Sequence, residues 1–290
     1  MIRKKNTGLP WIAPAALLIL VLIYYSIFET FRISALDWDG LDPSPKHVGM
    51  NNYKAILEDP IFWKSITHTI QYFVITFPIQ TVLGFFIAAL IHSNLKFVSI
   101  YKVLVFTPVI IAPATMAPVF RLIFGADGAF NRSLHFLHLD SLREPWLAQD
   151  TTAMPVLMFI TMWTFTGITY ILFYASMGQI DPQIIEAARI DGASNIKLLK
   201  TIVWPMCRKT TMIMAMLSVI GALKTFDIPN LVTGGGPFFS TEFLGTYIYR
   251  ISIPAAHVGY GAALSVMLLI MSLIGSFAVA KKMSKRDNND

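Results

Sequence analysis

A helix must run for about 20 mostly apolar residues to cross the hydrocarbon core of a bilayer. This chain supplies six such blocks, near residues 9 to 31, 66 to 92, 103 to 124, 152 to 177, 209 to 230 and 259 to 280. Hydrophobic residues make up 55% of the 290 and charged ones 14%, against about 25% charged in a soluble domain. Mean hydropathy is +0.59. The expected fold is an all-α integral membrane protein with six transmembrane helices. The apolar stretch from Ile12 to Ile27 follows Arg3, Lys4 and Lys5, which also fits a secretory signal, but it is long and lacks a small-residue cleavage site. It reads as a retained span.

Orientation follows from the basic residues. With the N-terminus inside, fourteen Lys and Arg fall on the inner side, among them Arg3, Lys4, Lys5, Lys96, Lys102, Arg189, Lys197, Arg208 and Lys281, and seven on the outer side, including Lys64, Arg132 and Arg250. The positive-inside rule then puts both termini in the cytoplasm. It also accounts for the net charge of +6 without nucleic acid, because no aromatic-interleaved basic surface is present. The single cysteine, Cys207, excludes an internal disulfide framework and a Cys-based metal cluster. The outer segments 32 to 65 and 125 to 151 are rich in Asp, Gly and Pro and read as turns and short surface structure. Pro108, Pro113 and Pro118 recur every five residues in the third span and should bend it, whether for packing alone or as part of a pathway.

The segment Gln179 to Met206 is too polar to span yet keeps apolar residues at helical spacing. Asp181 and Pro182 suit a helix start, Ile184, Ile185 and Ala188 fall near one face, and Gly192 can end the helix. A second helix is expected from Ser194 to Trp204. Two short helices breaking at a glycine can form a knob for a partner's groove, or an amphipathic pair lying on the membrane. In the spans, Lys224 and Asp227 lie three apart, a spacing that would let them pair on one face of the fifth helix, and Arg121 would snorkel to the outer interface. The fourth and fifth spans offer Thr161, Trp163, Thr164, Thr166, Thr169, Ser218 and Thr225 to hydroxyl-bearing solutes. Thr in apolar spans also bonds its own backbone. His135 and His138 could share a face as metal ligands, but no third ligand is evident.

Glu186-Ala187-Ala188, Asp191-Gly192-Ala193, Ile202 and Pro205 resemble the EAA loop of ABC importer permeases. Lys224 to Pro237, reading KTFDIPNLVTGGGP, with Thr241, Leu244, Tyr247, Tyr249 and Gly259 to Gly261, resembles the maltose-type carbohydrate uptake permeases, in which TGGGP marks the first of two unlike permease subunits. With Phe62-Trp63 and Thr69, the resemblance covers roughly residues 50 to 282. It implies a type I ABC importer permease fold, with residues 1–63 forming an N-terminal transmembrane helix and outer loop, 64–282 the core with the coupling loop at 178–206, and 283–290 a cytoplasmic tail.

The resemblance further implies that Glu186, Ala187, Ala188, Asp191, Gly192 and Ala193 couple to an ATPase, and that Lys224, Asp227, Gly234, Gly235, Gly236 and Pro237 form an outer gate or loop. Sugar-contacting positions fall near Thr161, Thr164, Ser218, Ala222 and Thr225, with Trp163 beside them. Ala222 stands where the maltose pattern has an amide, so the solute need not be maltose. The implied partners are a second permease in a heterodimer, two ATPase subunits that bind ATP and Mg, an extracytoplasmic solute-binding protein, membrane lipid and a sugar. No cofactor is expected in this chain, and its glycine run is not a nucleotide loop because no Lys-Ser or Lys-Thr follows. The implied place is the bacterial cytoplasmic membrane, multi-pass, and the implied function is transport, not an enzyme's. Glycerol phosphate is an alternative solute. A secondary transporter is the alternative mechanism, but coupling-ion residues within spans and inverted repeats with interrupted helices are not evident.

Overall fold

The computed structural model describes residues 9–93 and 96–287. Arg3, Lys4 and Lys5 and the last three residues of the expected tail lie outside the described residues. The helices are α1 (Leu9–Ile19) and α2 (Tyr25–Ser34), joined by a π-helical turn at Leu20–Tyr24, then α3 (Asn51–Glu58), α4 (Pro60–His92), α5 (Val98–Ile110), α6 (Pro113–Phe124), α7 (Ala129–Phe136) and α8 (Asp150–Met177). There follow α9 (Pro182–Ile190), α10 (Asn195–Leu198), α11 (Trp204–Met206), α12 (Arg208–Leu223), α13 (Asp227–Val232), α14 (Leu244–Ser252) and α15 (Val258–Asp287). Strands β1 (Leu36–Asp37) and β2 (Lys46–His47) pair antiparallel. Among the described residues, four helices are long and apolar enough to cross a membrane, and six spans result if each of two bent helix pairs counts as one. Four of the six expected spans are single helices of this kind, and the expected third and fifth fall within the two bent pairs, the second of which also takes in Asn195–Met206 of the 178–206 loop.

Residues 1–62 and 247–271 form one compact unit, and 63–246 with 272–290 the other. The expected core over 64–282 takes in residues of both units, because 247–271 group with 1–62. In the first unit, the apolar helix Trp11–Ser34 has none of its most hydrophobic window buried. The loop after it is an ordered hairpin. Asp39 turns the chain by accepting the Leu41 and Asp42 amides, each at 2.8 Å, and these bonds, that of Asp42 first, hold its carboxyl below the usual range. Asn52 Nδ2 donates to the carbonyls of Ser34 and Leu36 at 2.9 and 3.0 Å. Asp59 gathers this unit. Its Oδ1 accepts the Ile61 amide at 2.8 Å, capping α4, while its Oδ2 accepts the Tyr260 hydroxyl at 3.0 Å and the Tyr247 hydroxyl. Burial and the bond to Asp59 hold the Tyr247 hydroxyl protonated far above its ordinary range.

The second unit is organised on α8, whose faces carry buried residues from Ala153 to Met177. Two glycine sites let neighbours lie directly on it. A Cβ at Gly167 would stand 2.7 Å from the Val105 carbonyl oxygen of α5, and one at Gly84 of α4 would stand 2.5 Å from Thr169 Cγ2. The third span does more than bend. Ala112 is extended (ψ 137°), as a residue before proline prefers, Pro113 opens α6 at its first position, and the axis turns by 98° between Val98–Ile110 and Pro113–Phe136. Pro108 and Pro118 stay inside their helices. Pro78 sits inside α4, where it leaves the Val74 carbonyl without its helical amide.

The fifth span ends earlier than residue 230. Lys224 closes α12 through its amide to the Ile220 carbonyl at 3.1 Å, Phe226 leaves helical geometry (φ −143°), and Asp227 and Pro229 occupy the first turn of a new helix, where acidic and N–H-lacking residues are tolerated. Lys224 and Asp227 thus do not share a helix face, and no ion pair joins them among the described residues. The second helix of the 178–206 loop is likewise irregular. It runs as α10, a π-helical turn at Leu199–Val203 and α11, passing Pro205 before turning by 65° into α12. His135 bonds Asp140 at 2.8 Å, and that bond, ahead of Arg143, holds the Asp140 carboxyl below its ordinary value. Arg121 is exposed.

Two packing predictions follow from these contacts. Gly167→Leu drives a side chain into the α5 backbone and should destabilise the detergent-purified chain by about 1–3 kcal/mol, read as a lowered thermal midpoint. Asp59→Ala strips a shared acceptor from two tyrosines and should cost about 1–3 kcal/mol, whereas Asp39→Ala on the exposed hairpin should leave the midpoint nearly unchanged.

Candidate functional site

Two clusters of the expected site residues lie toward opposite ends of α4, both within the second unit. At the His92 end, Asp181 caps α9 by accepting the Gln183 amide at 2.9 Å, and Pro182 occupies its first position. The helix stops because Gly192 adopts φ +77°, which lets the Ala193 amide reach back to the Ala188 carbonyl at 3.0 Å. A Cβ on Gly192 would meet nothing within 4 Å, so its role is conformational and not steric. Ala188 turns inward onto a buried cluster with Phe85, Ala88, Phe173, Leu198 and Val203. Glu186, Ala187, Asp191 and Gly192 face outward.

The three residues of the EAA stretch therefore divide by direction, Ala188 seating the loop and Glu186 with Ala187 left on its surface. Ile190 and Ile196 stand beside them, 86% and 79% exposed. Of the apolar face expected on α9, Ile185 packs against the cluster and Ile184 is exposed. Glu186 and Arg189 also line a groove of about 760 Å³ with Phe86, Leu90 and His92 of α4.

Further along, a cavity of about 340 Å³ lies between α4, α8 and α12. Thr161 of α8 and Ser218 and Thr225 of the fifth span line it, as does Ala222. Trp163 does not. It is 41% exposed and packs edge-to-face on Phe120, with ring centres 5.3 Å apart. Thr164 is not in the cavity wall either, because it is buried with its hydroxyl donated to the Ile160 carbonyl at 2.8 Å and set against Met116 Sδ. Lys224 and Asp227, expected as loop residues, line the cavity rim. Tyr72, Thr76 and Gln80 complete the wall from α4, a helix that contributed no solute position in the sequence reading. Their signal was available as polar residues four apart within an apolar span. The Tyr72 hydroxyl donates to Thr161 Oγ1 at 2.7 Å, and Gln80 Nε2 donates to the Thr161 carbonyl at 3.3 Å.

The glycine run lies toward the Lys64 end of α4. Gly234 and Gly235 take φ +62° and +85°, and a Cβ at Gly235 would stand 2.7 Å from the Glu242 carboxylate, so the run provides both left-handed turns and room. Pro237 follows through a cis peptide. Thr241 locks the turn by donating to the Gly236 carbonyl at 2.6 Å, and it bonds Thr233 at 2.8 Å.

Residues 7–281 match the family described as binding-protein-dependent transport system inner membrane component. The chain is 31% identical over 274 residues to a probable ABC transporter permease protein of Bacillus subtilis, covering 93% of this chain and 94% of that one. It is 29% identical to a lactose transport system permease protein of Rhizobium radiobacter, covering 93% and 91%. Its fold matches a chain of the crystal structure of a bacterial alginate ABC transporter in complex with alginate pentasaccharide-bound periplasmic protein, with a TM-score of 0.84 at 18% identity over 96% of this chain and 93% of that one.

The inward and outward alanines make opposite predictions. Ala188→Leu overfills a packed cluster and should lower the thermal midpoint of the purified chain by an amount equivalent to about 1–3 kcal/mol. Ala187→Leu lies on the surface and should change stability by less than about 0.5 kcal/mol.

Proposed function

Because the chain belongs to the family of binding-protein-dependent transport system inner membrane components, we propose that it is the permease subunit through which an ATP-driven importer passes a sugar or oligosaccharide across the bacterial cytoplasmic membrane. The observation that carries this reading is the α9 knob, a short helix seated by Ala188 and presenting Glu186 and Ala187 outward at the end of the membrane helices. A small, exposed alanine permits close approach by another backbone, and a carboxylate one turn from exposed Ile190 gives a docking surface both charge and apolar area.

In this reading, two partner ATPase subunits bind ATP and Mg and receive Glu186, Ala187, Asp191 and Gly192 in a cleft. A second, unlike permease completes the pore, and an extracytoplasmic binding protein delivers solute at the glycine-loop face. The 178–206 loop and both termini are then cytoplasmic. Closure of the ATPases moves the knob, the helices rearrange to open the cavity outward, and hydrolysis with release of ADP and phosphate returns it inward. The sugar assignment draws support from the lactose permease relative and from the lining of the cavity. Thr161, Ser218 and Thr225 provide neutral donors and acceptors, and apolar walls between them suit the faces of a sugar ring. Lys224 at the rim favours one second reading, an anionic polyol such as glycerol phosphate.

The decisive assay reconstitutes the chain with its partner permease, ATPases and binding protein in proteoliposomes. Binding-protein-stimulated ATP hydrolysis is expected to fall by about ten-fold or more in Glu186→Ala, the loss of a charged contact, and to be abolished in Gly192→Pro, which cannot adopt positive φ. Both variants should still insert and assemble. Undiminished stimulation in both would reject the coupling role of this loop.

A further inference from the structure

Five polar residues recur at a spacing of four along the second span: Lys64, His68, Tyr72, Thr76 and Gln80. Four residues advance a helix by slightly more than one turn, so such a series forms a single stripe that winds slowly round the axis. The stripe is buried from His68 to Gln80. A span that only had to meet lipid or pack on apolar neighbours would not carry it, because each polar group buried there must find a partner.

The partners change along the stripe. At one end, Lys64 Nζ donates to the Phe238 carbonyl at 2.9 Å, and His68 Nδ1 lies 2.8 Å from the Glu242 carbonyl, which can only accept and so fixes the proton on Nδ1. Both carbonyls belong to the segment that follows the glycine run. The stripe therefore begins beneath that loop. At Tyr72 it enters the cavity wall, and it stays there through Thr76 and Gln80.

The bonds inside the cavity are exchangeable ones. Gln80 makes a single long bond, 3.3 Å, with an amide able to form four, and the Tyr72 hydroxyl bonds only other hydroxyls, those of Thr161 and Thr225, which a solute hydroxyl can replace in kind. Thr76 donates to the Tyr72 carbonyl at 2.7 Å and keeps acceptor capacity. These are the properties of a wall that can hand its hydrogen bonds to neighbouring hydroxyls on a solute without leaving a buried group unpaired. One further turn along, the stripe ends in Gly84 and Ala88, which pack tightly and offer no side-chain donor.

We propose that the second span lines the solute's track, with Tyr72, Thr76 and Gln80 as hydrogen-bonding contacts for a neutral polyhydroxylated solute entering from under the glycine loop. This rests on the transport reading above and adds a helix to the solute path. It is tested by cysteine accessibility in the complete importer in proteoliposomes. In a Cys207→Ala background, single variants Thr76→Cys and Gln80→Cys are compared with Val74→Cys and Val82→Cys on the outward-facing side of the same helix.

The probe is 2-(trimethylammonium)ethyl methanethiosulfonate, a water-borne reagent of roughly sugar-ring size, applied at rest and after trapping with ATP and vanadate. Positions 76 and 80 should label in at least one state, and 74 and 82 should label far more slowly in both. Inert thiols at 76 and 80 in both states, or equal labelling on both faces, would overturn the proposal. Stimulation of ATP hydrolysis by the binding protein, measured on the unsubstituted chain, tests the transport reading separately. The track can therefore fail while that reading stands, and the reverse.

Discussion

Hydrocarbon offers nothing to an unpaired backbone amide or carbonyl, and the architecture depends on how the chain answers that constraint. An unbroken helix satisfies itself, so α15 needs neighbours only for its side chains, whereas Pro78 in α4 and Pro155 in α8 each leave one carbonyl to be covered. Each break creates groups that require cover. The break at Ile111 and Ala112 lies where α5 packs on α8 and α6 packs on α13. The end of α12 is closed by its own capping amide and followed at once by α13. The irregular backbone is thus concentrated where other parts of the protein or the cavity can receive it, and the candidate solute site occupies one of those places.

Close approach is what makes such cover possible. Gly167 and Gly84 bring α5 and α4 to within contact of the α8 backbone and its β-branched side chains. The cavity between α4, α8 and α12 is lined mostly by larger side chains. Its walls are polar only at intervals, which matches the need to hold a solute briefly and release it, since a wall with many strong fixed donors would hold it too well. The loop at 178–206 follows a related division of labour, with Ala188 giving it a foundation and the exposed isoleucines leaving work for another surface.

Much of this was legible in the sequence, and the failures have physical causes. The spans followed from length and hydropathy, and the end of α9 from Asp181, Pro182 and Gly192, because these depend on local chemistry. Lys224 and Asp227 do not pair because spacing implies a shared face only while the helix continues, and here α12 ends at Leu223 and Phe226 leaves helical geometry before α13 begins. Trp163 and Thr164 lie outside the cavity wall, a placement that composition could not give because it carries no azimuth. Thr164 lies three residues from Thr161, yet Met116 of α6 covers it. The α4 contribution was missed because threonine, tyrosine and glutamine spread thinly through a long apolar run look like noise until their fourfold spacing is aligned with a neighbouring wall.

Pro78 falls between Thr76 and Gln80. From Lys64 to His92 the helix extends about 42 Å at 1.5 Å per residue, and Pro78, whose missing amide leaves the Val74 carbonyl unbonded, stands midway along that length. A rod without such a weak point would transmit any tilt whole, moving its far end by about 7 Å for a tilt of about ten degrees over that length. A missing bond partway along lowers the cost of bending there, and Thr76 and Gln80 stand on either side of Pro78, so the spacing between these two cavity-wall side chains is the one such a bend would alter first.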